Sequence, residues 1–344
     1  MSGGVDSSVA AYLLKKQGYD VIGLTFRGWP QDCRSIEEDK CCGPQAVADA
    51  RMVAHSLGIP YYVVDEIETF QREVMDYFAA EYQRGRTPNP CVICNEKVKF
   101  GSLLRKALAL GAEAIATGHY ARITKNGRYE LRKGRDDRKD QTYFLFSLNQ
   151  DQLAHAMFPL GELTKSEVRG IAKEIGLKTY GKEESQEVCF VPENDYRRFL
   201  RESGVTEKKG EIATREGRVL GSHTGIQTFT IGQREGLNLG GLKSPLYVVE
   251  LDAETNRVIV GAAEDLLRSE FEVRDCIWHA GEPTEPLEII VKPRHQHPGA
   301  RAFVVSLGGN RARVRLPEPQ RAITPGQAAV FYGDDMVVGG GWIC

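Results

Sequence analysis

The chain has 344 residues, of which 41% are hydrophobic and 27% charged, with a formal net charge of −2. That length exceeds one ordinary domain, and the composition excludes a disordered or fibrous chain. The near-neutral charge excludes a nucleic-acid binder that works by global positive charge, although local basic patches remain open to that use. No apolar run nears the ~20 residues that span a bilayer, and no basic-then-apolar leader precedes the first motif, so no membrane role and a cytoplasmic setting are expected.

The chain opens on SGGVDSS, residues 2–8, which runs straight into the apolar, helix-like VAAYLLKKQG. A glycine turn at a helix start lets a phosphate reach unpaired backbone N–H groups at the positive end of the helix dipole. No Lys-Ser/Thr follows the glycines, so this is not a Walker A loop. YDVIGLTF reads as a strand, QAVADARMVAHSLG as a helix stopped by its glycine, and IPYYVVD as a strand. FQREVMDYFAAEYQRG and KVKFGSLLRKALALG read as helices, and AEAIATGHYA as a strand. This alternation implies α/β architecture, a doubly wound parallel sheet with helices on both faces. Residues 145–205 turn helical in QDQLAHAMF, TKSEVRGIAKEIGL and NDYRRFLRESG. Beyond 207 the chain becomes rich in glycine and β-formers, and LYVVELDAETNRVIVG reads as two strands and a turn. The last 75 or so residues are short alternating strands, which implies a small β-barrel. The expected domains are therefore 1–205, a catalytic domain with a helical extension, then 206–268, a central β-rich domain, and 269–344, a C-terminal β-barrel.

Eight cysteines stand at 33, 41, 42, 91, 94, 189, 276 and 344. Without an export signal they do not suggest a disulfide framework. Only Cys91 and Cys94 form a CxxC, the spacing of metal, cluster or redox chemistry. They lie in RTPNPCVICN, where two prolines fix an extended, rigid loop that leads into NEKVKFG, the start of a helix, and delivers a cysteine above the sheet. Cys33, Cys41 and Cys42 sit in a polar loop whose adjacent pair suits one tetrahedral zinc ion poorly. Cys276 alternates with apolar residues and reads as core.

SGGVDSS resembles the pyrophosphate loop of the PP-loop ATP pyrophosphatases. With GRTPNPxxxCN, ATGHYAR, KDQTYFL, the Cys189 segment followed by FVPENDYRRFL, GQREGL and TPGQAAVFY, the whole chain resembles the tRNA-uridine 2-sulfurtransferases. In that family the loop follows a strand. Here Met1 occupies the loop itself, so a truncated start or a lost first strand is expected.

The resemblance implies ATP and Mg2+ as cofactors, with Ser2, Gly3, Gly4, Asp6 and Ser7 in the phosphate loop, Phe26 at the adenine and Gly118 beside the nucleotide. It implies adenylation of the C2 oxygen of the wobble uridine in the tRNAs for Lys, Glu and Gln, then sulfur transfer. A uridine carbonyl is a poor electrophile until its oxygen becomes a leaving group. Sulfur must come from a reactive cysteine, and the base must leave its stack. Cys94 matches the nucleophile and Cys189 the persulfide carrier; a disulfide belongs to the same chemistry. Cys91 stands where relatives with an NPDxxC loop carry an aspartate taken as acid/base. Two routes stay open: a 4Fe–4S cluster held by Cys91, Cys94 and Cys189, or persulfide chemistry on Cys94 and Cys189 alone.

The tRNA contacts implied by the resemblance are Asn89, Pro90, Cys91, His119, Lys139, Asp140, Gln141, Arg294, His295 and Gln327. Residues 122–139 hold eight Lys/Arg against three Asp/Glu, and residues 290–321 hold seven against one. Charge runs are usually solvated faces, but two basic zones suit an RNA backbone. The expected partners are a tRNA anticodon stem-loop and a sulfur donor such as a cysteine desulfurase or relay protein, with the chain a monomer. Rival readings are an amide-forming PP-loop ligase, a 4-thiouridine synthase and a non-catalytic redox or iron–sulfur protein. The first two leave RTPNPCVICN idle or lack an expected RNA-binding module, and the last leaves SGGVDSS without a use.

Overall fold

A computed structural model describes residues 1–28, 43–181, 188–240 and 244–344. The chain divides into two compact units. One comprises Met1–Met75, Pro90–Asp195 and Asp335–Val337, and the other comprises Asp76–Asn89, Tyr196–Asp334 and Val338–Cys344.

In the first unit, α1 (Val5–Lys16) leads to β1 (Gly23–Arg27), α2 (Pro44–Leu57) and β2 (Tyr61–Asp65). β1 and β2 pair in parallel, with Phe26 opposite Val64. α2 has a proline in its first turn and ends on Gly58 at φ 59, the left-handed stop its sequence foretells. Met1 lies against β1: its amino group donates to the Leu24 carbonyl, and Thr25 Oγ1 donates to the Met1 carbonyl. The helical segments Pro90–Ile93, Cys94–Leu103 and Leu104–Ala109 run on end to end, the middle one with π-type winding. β3 (Ile115–Ala116) pairs in parallel with β6 (Ala156–Met157), and β4 (Ala121–Asn126) forms a hairpin with β5 (Arg128–Lys133). The stretch 150–158 expected as one helix is helix only over Gln150–Ala154, and its end turns into β6. The β-branch-poor sequence AHAMF gives no local sign of that switch; pairing with β3 decides it. α3 (Lys165–Glu174) has a complete capping box, Thr164 with Glu167. Val5, Val9, Val53, Tyr120, Leu160 and Val168 form the core that joins α1, α2 and α3.

In the second unit the helix Asp76–Gln83 meets the helix Tyr196–Glu202 through aromatic rings: Tyr82 stacks on Tyr196 at 4.8 Å, and Phe78 meets Phe199 edge-on at 5.7 Å. β7 (Gly210–Thr214), β8 (Val219–His223), β9 (Tyr247–Asp252) and β10 (Arg257–Gly261) form a sheet in the order β8-β7-β10-β9. β11 (Leu267–Trp278), β12 (Leu287–Lys292), β13 (Ala300–Gly308), β14 (Arg311–Arg321), β15 (Ala328–Gly333) and β16 (Met336–Ile343) follow. They run β11-β14-β13-β12-β15-β16, and β16 pairs again with β11 to close a six-stranded barrel. The period-two alternation puts Phe271, Val291, Val304, Val314 and Phe331 inside. Cys276 joins that core, and burial pushes its thiol up to about 12, so it is inert packing as its sequence pattern suggests.

Candidate active site

The loop before α1 is shaped by two glycines. Gly3 has φ +69, and a Cβ there would lie 2.5 Å from the Ala46 carbonyl oxygen. Gly118 closes the other side: a Cβ would lie 2.7 Å from the Asp6 backbone carbon and 2.8 Å from the Ser7 nitrogen. Only glycine lets the TGHY segment touch the first turn of α1. Ser7 Oγ accepts from Ser2 N at 3.1 Å, and Ser8 Oγ donates to the Gly4 carbonyl at 2.8 Å, so the hydroxyls brace the turn. Gly4 caps α1 with no side-chain bond, which leaves the helix start to an anion. Gly3 is buried, and Ser2, Gly4, Asp6 and Ser7 are half-exposed. This cradle fits phosphates.

Asp6 is tied down. Lys165 Nζ lies 2.8 Å from each of its carboxylate oxygens, and Tyr120 Oη donates to it at 2.9 Å. The Lys165 ammonium stands 5.7 Å from the Tyr120 ring centre. Asp6 therefore organises the loop through Tyr120 and Lys165, two residues that sequence reading did not single out.

Pro90 opens the helical run that carries Cys91 and Cys94, where its missing N–H costs nothing. The two cysteines are three residues apart on a helix and so share a face. Cys91 is exposed and Cys94 half-buried, while Val92 and Ile93 pack inward. Buried Asn95 anchors the run by donating to the Phe144 carbonyl at 2.9 Å, and Gln152 donates to the carbonyls of Glu96 and Phe100. Cys189 is half-buried, and the next two residues, Phe190 and Val191, are buried. Phe190 meets Phe70 edge-on at 5.7 Å, and Phe70 in turn contacts Phe26 at 5.9 Å. One ring therefore fixes both the end of β1 and the segment bearing Cys189. None of Cys91, Cys94, Cys189, Cys276 and Cys344 is joined in a disulfide, so the bond expected of the chemistry is not formed here. Among the described residues no three His, Cys, Asp or Glu side chains gather to hold a metal. The three cysteines thus do not present a cluster's ligand set in this arrangement. Cys33, Cys41 and Cys42 lie outside the described residues.

His119 is half-buried beside Phe158, ring centres 6.0 Å apart, with Thr117 Oγ1 2.7 Å from Nδ1. Burial, then the nearby charge of Lys99, hold its imidazole well below the ordinary value, so it is neutral near pH 7. Phe158 also meets Phe100, which links His119 to the cysteine helix. Gln141 is woven into the backbone of Tyr120: Oε1 accepts from Tyr120 N at 3.0 Å, and its own N–H donates to Tyr120 O at 3.1 Å. Asp140 is buried and accepts from the Thr142 hydroxyl and N–H, and Lys139 is half-buried. Asn89 and Pro90 are buried, whereas Arg294 and His295 are exposed. In the second unit, Gln327 Nε2 donates to the carbonyls of Thr87 at 3.0 Å and Pro88 at 3.4 Å, so its amide braces the start of the TPNP segment.

Four of the seven basic residues in the run 290–321 are engaged in ion pairs. Glu270 and Glu272 on β11 pair with Arg311, Arg313 and Arg315 on β14, and Glu288 pairs with Arg301. The acidic partners on β11 lie outside the run in sequence and come beside it through strand pairing. In the run 122–139, Arg132 pairs with Glu130, and Arg135 with Glu167.

The residues missed by sequence reading are Lys165, Tyr120, Phe70, Phe158 and Phe190. One local signal existed: a lysine at the first position of α3, where a cation opposes the helix dipole.

The family described as tRNA methyl transferase HUP domain matches residues 1–193, the tRNA methyl transferase PRC-barrel domain residues 197–262, and the aminomethyltransferase beta-barrel domain residues 268–343. A tRNA-specific 2-thiouridylase MnmA of Geobacter metallireducens is 52% identical over 100% of this chain and 95% of its own length. Relatives of the same name from Clostridium botulinum, strain Okra, and Clostridium perfringens, strain ATCC 13124, are 48% identical over 100% of this chain and 97% and 96% of their own lengths. With a HUP-type nucleotide cradle, a PRC-barrel, a C-terminal β-barrel and full-length identity near one half, the chain belongs to the tRNA-specific 2-thiouridylase family.

Proposed function

We propose that this chain is an enzyme that uses ATP to replace the C2 oxygen of the wobble uridine of the tRNAs for Lys, Glu and Gln with sulfur. The phosphates of ATP, with Mg2+, lie on Ser2, Gly3, Gly4, Asp6 and Ser7, the adenine lies near Phe26, and Gly118 backs the loop. The uridine C2 oxygen attacks the α-phosphorus, the α–β bond breaks, and pyrophosphate leaves with the bonding electrons. The terminal sulfur of a Cys189 persulfide then attacks C2, and AMP departs with the oxygen. The Cys94 thiolate attacks the Cys189 sulfur, which leaves sulfur on C2 and a Cys94–Cys189 disulfide for an external thiol to reduce. The persulfide comes from a desulfurase or relay protein.

The observation that carries this reading is the Phe26–Phe70–Phe190 chain of rings, which ties the Cys189 segment to the strand end beside the phosphate loop. Neutral His119 suits hydrogen bonding to a base or ribose rather than ion pairing with phosphate. The exposure of Cys91, Arg294 and His295 suits tRNA contact, as does the partial exposure of Lys139 and Gln141. Buried Asn89, Pro90 and Asp140 act as supports for neighbouring residues, and Gln327 braces the segment before Asn89. The chain works as a monomer in the cytoplasm. No helix among the described residues is long and apolar enough to cross a membrane.

The cluster route differs in needing Cys91 as a third ligand. Among the described residues the three thiols are not gathered into that ligand set. Anaerobic purification with iron and sulfide analysis separates the routes: activity without iron supports the two-cysteine route. The test of the function itself is conversion of ATP to AMP and pyrophosphate that depends on tRNA and yields 2-thiouridine.

A further inference from the structure

An adenylated uridine would join two parts of the site. Its phosphate belongs to the loop before α1, and its C2 belongs to the cysteines. The α-phosphate then sits between loop and thiols, and its non-bridging oxygens gain charge as the C2 oxygen attacks. A preorganised cation at that point lowers the barrier.

Close contacts lead from the loop to the cysteine helix. A Cβ on Gly118 would lie 2.7 Å from the Asp6 backbone carbon, so this segment touches the first turn of α1. The next residue, His119, meets Phe158 with ring centres 6.0 Å apart, and Phe158 meets Phe100 at 5.9 Å. Phe100 lies on the helical run Cys94–Leu103, and Lys99 directly precedes it. The charge of Lys99 reaches His119, where it adds to burial in keeping the imidazole neutral.

The winding of that run decides which face Lys99 takes. In an α-helix the fifth residue after Cys94 would lie about 140° round the axis. The run has π-type turns, whose i→i+5 bonds bring that residue back roughly beneath Cys94. Lys99 is the fifth residue on. Such winding is uncommon and is found frequently at functional sites. Lys97, two residues earlier, is exposed and pairs with Glu96. Lys99 is half-buried, between buried Val98 and buried Phe100. The π turns therefore turn a lysine toward the Cys94 face, beside the bridge that leads to the phosphate loop.

We propose that Lys99 is a catalytic residue whose ammonium binds the α-phosphate of the adenylated uridine. During adenylation the C2 oxygen forms its bond to the α-phosphorus as the bond to the bridging oxygen breaks, and Lys99 balances the charge on the non-bridging oxygens. During sulfur transfer the C2–O bond breaks, its electron pair leaves with AMP, and the same ammonium holds that phosphate. No proton leaves Lys99 in either step. The inference rests on the adenylating function proposed above and supplies it with a cation on the thiol side of the phosphate.

The test measures AMP formation by the full chain with ATP, Mg2+ and tRNA. It also follows transfer of label from ATP labelled at the α-phosphate to tRNA when no sulfur donor is supplied, beside the affinities for ATP and tRNA. Lys99→Met is expected to lose about 100-fold in kcat and to label tRNA correspondingly slowly, with both affinities kept. Lys99→Arg is expected to recover about tenfold of that loss, because a guanidinium also binds phosphate. Lys97→Met is expected to keep the full rate. An unchanged kcat in Lys99→Met overturns the proposal, as does a loss expressed only as weaker binding of tRNA or ATP. Should Lys99→Met fail to fold, Lys99→Gln keeps a polar end and is read in the same way. Absence of tRNA-dependent AMP in the unaltered chain sinks the adenylating function and this proposal with it. AMP formed equally by the unaltered and Lys99→Met forms leaves that function standing and sinks this proposal alone.

Discussion

Phe190 packs edge-on against Phe70 with ring centres 5.7 Å apart, which places the neighbouring Cys189 under the control of a buried aromatic contact. Removing a buried phenyl ring leaves a cavity that costs about 3–5 kcal/mol. Here the loss falls on the segment that carries the cysteine. Phe190→Ala is expected to slow 2-thiouridine formation at least tenfold and to raise the alkylation rate of Cys189. Unchanged thiolation in that variant goes against the assigned role of the segment.

Gly118→Ala tests the cradle. The added methyl meets the backbone of Asp6 and Ser7 at 2.7–2.8 Å, so the first turn of α1 must move. ATP affinity is expected to fall about tenfold or more, the equivalent of ~1.4 kcal/mol. Titration with ATP measures it, and an affinity equal to that of the unaltered chain speaks against phosphate binding at this loop.

Glu81 tests the second unit. Its side chain is 2% exposed and faces Arg84 at 2.8 Å, Arg274 at 3.5 Å and Arg86 at 3.7 Å. The carboxylate is buried while Arg84, Arg86 and Arg274 keep contact with water, so deleting it costs more than a surface pair and less than a fully buried one, about 1–3 kcal/mol. Glu81→Ala is expected to destabilise the protein by that order in urea denaturation. A change under about 1 kcal/mol, the worth of a surface pair, contradicts this placement.

Acid should loosen the fold through histidines. Burial holds His119, His223 and His297 below the ordinary imidazole value. Each therefore takes up a proton in the unfolded chain at a pH where the folded chain does not, so stability is full above ~6.5 and falls as pH drops below it. At His297, Nδ1 accepts the Gly299 N–H and Nε2 faces the Gln320 carbonyl oxygen, so protonation breaks the first bond. The melting temperature is expected to fall between pH 7 and pH 5, and His297→Gln to flatten part of that slope. A melting temperature constant over this range runs against the expectation.

Much of the fold was legible in the sequence because its signals are local. Thr164 and Glu167 announce α3, and Gly58 ends α2. The barrel wall shows in every second residue being apolar: Phe271 and Val273 on β11, then Ala312, Val314 and Leu316 on β14. The shared helix face of Cys91 and Cys94 was not legible: the prolines of RTPNPCVICN read as an extended loop up to the helix start at NEKVKFG, whereas the helical run already begins at Pro90. What else escaped depends on contacts between distant segments. Lys165 meets Asp6 only after folding, and Phe70 meets Phe190 across 120 residues. The basic run 290–321 looked free because its neutralising partners, Glu270 and Glu272, sit on β11. Asn89 and Asp140 look like surface polar residues in sequence, yet both are buried, and Asp140 spends its oxygens on Thr142.

Nucleoside analysis of tRNA from a thiolation-deficient strain is the most direct test of the chemistry assigned to Cys94. Supplied with this chain, the strain should regain 2-thiouridine at the wobble position, and supplied with the Cys94→Ala form it should regain none. Recovery with the Cys94→Ala form, or none with the unaltered chain, contradicts the account.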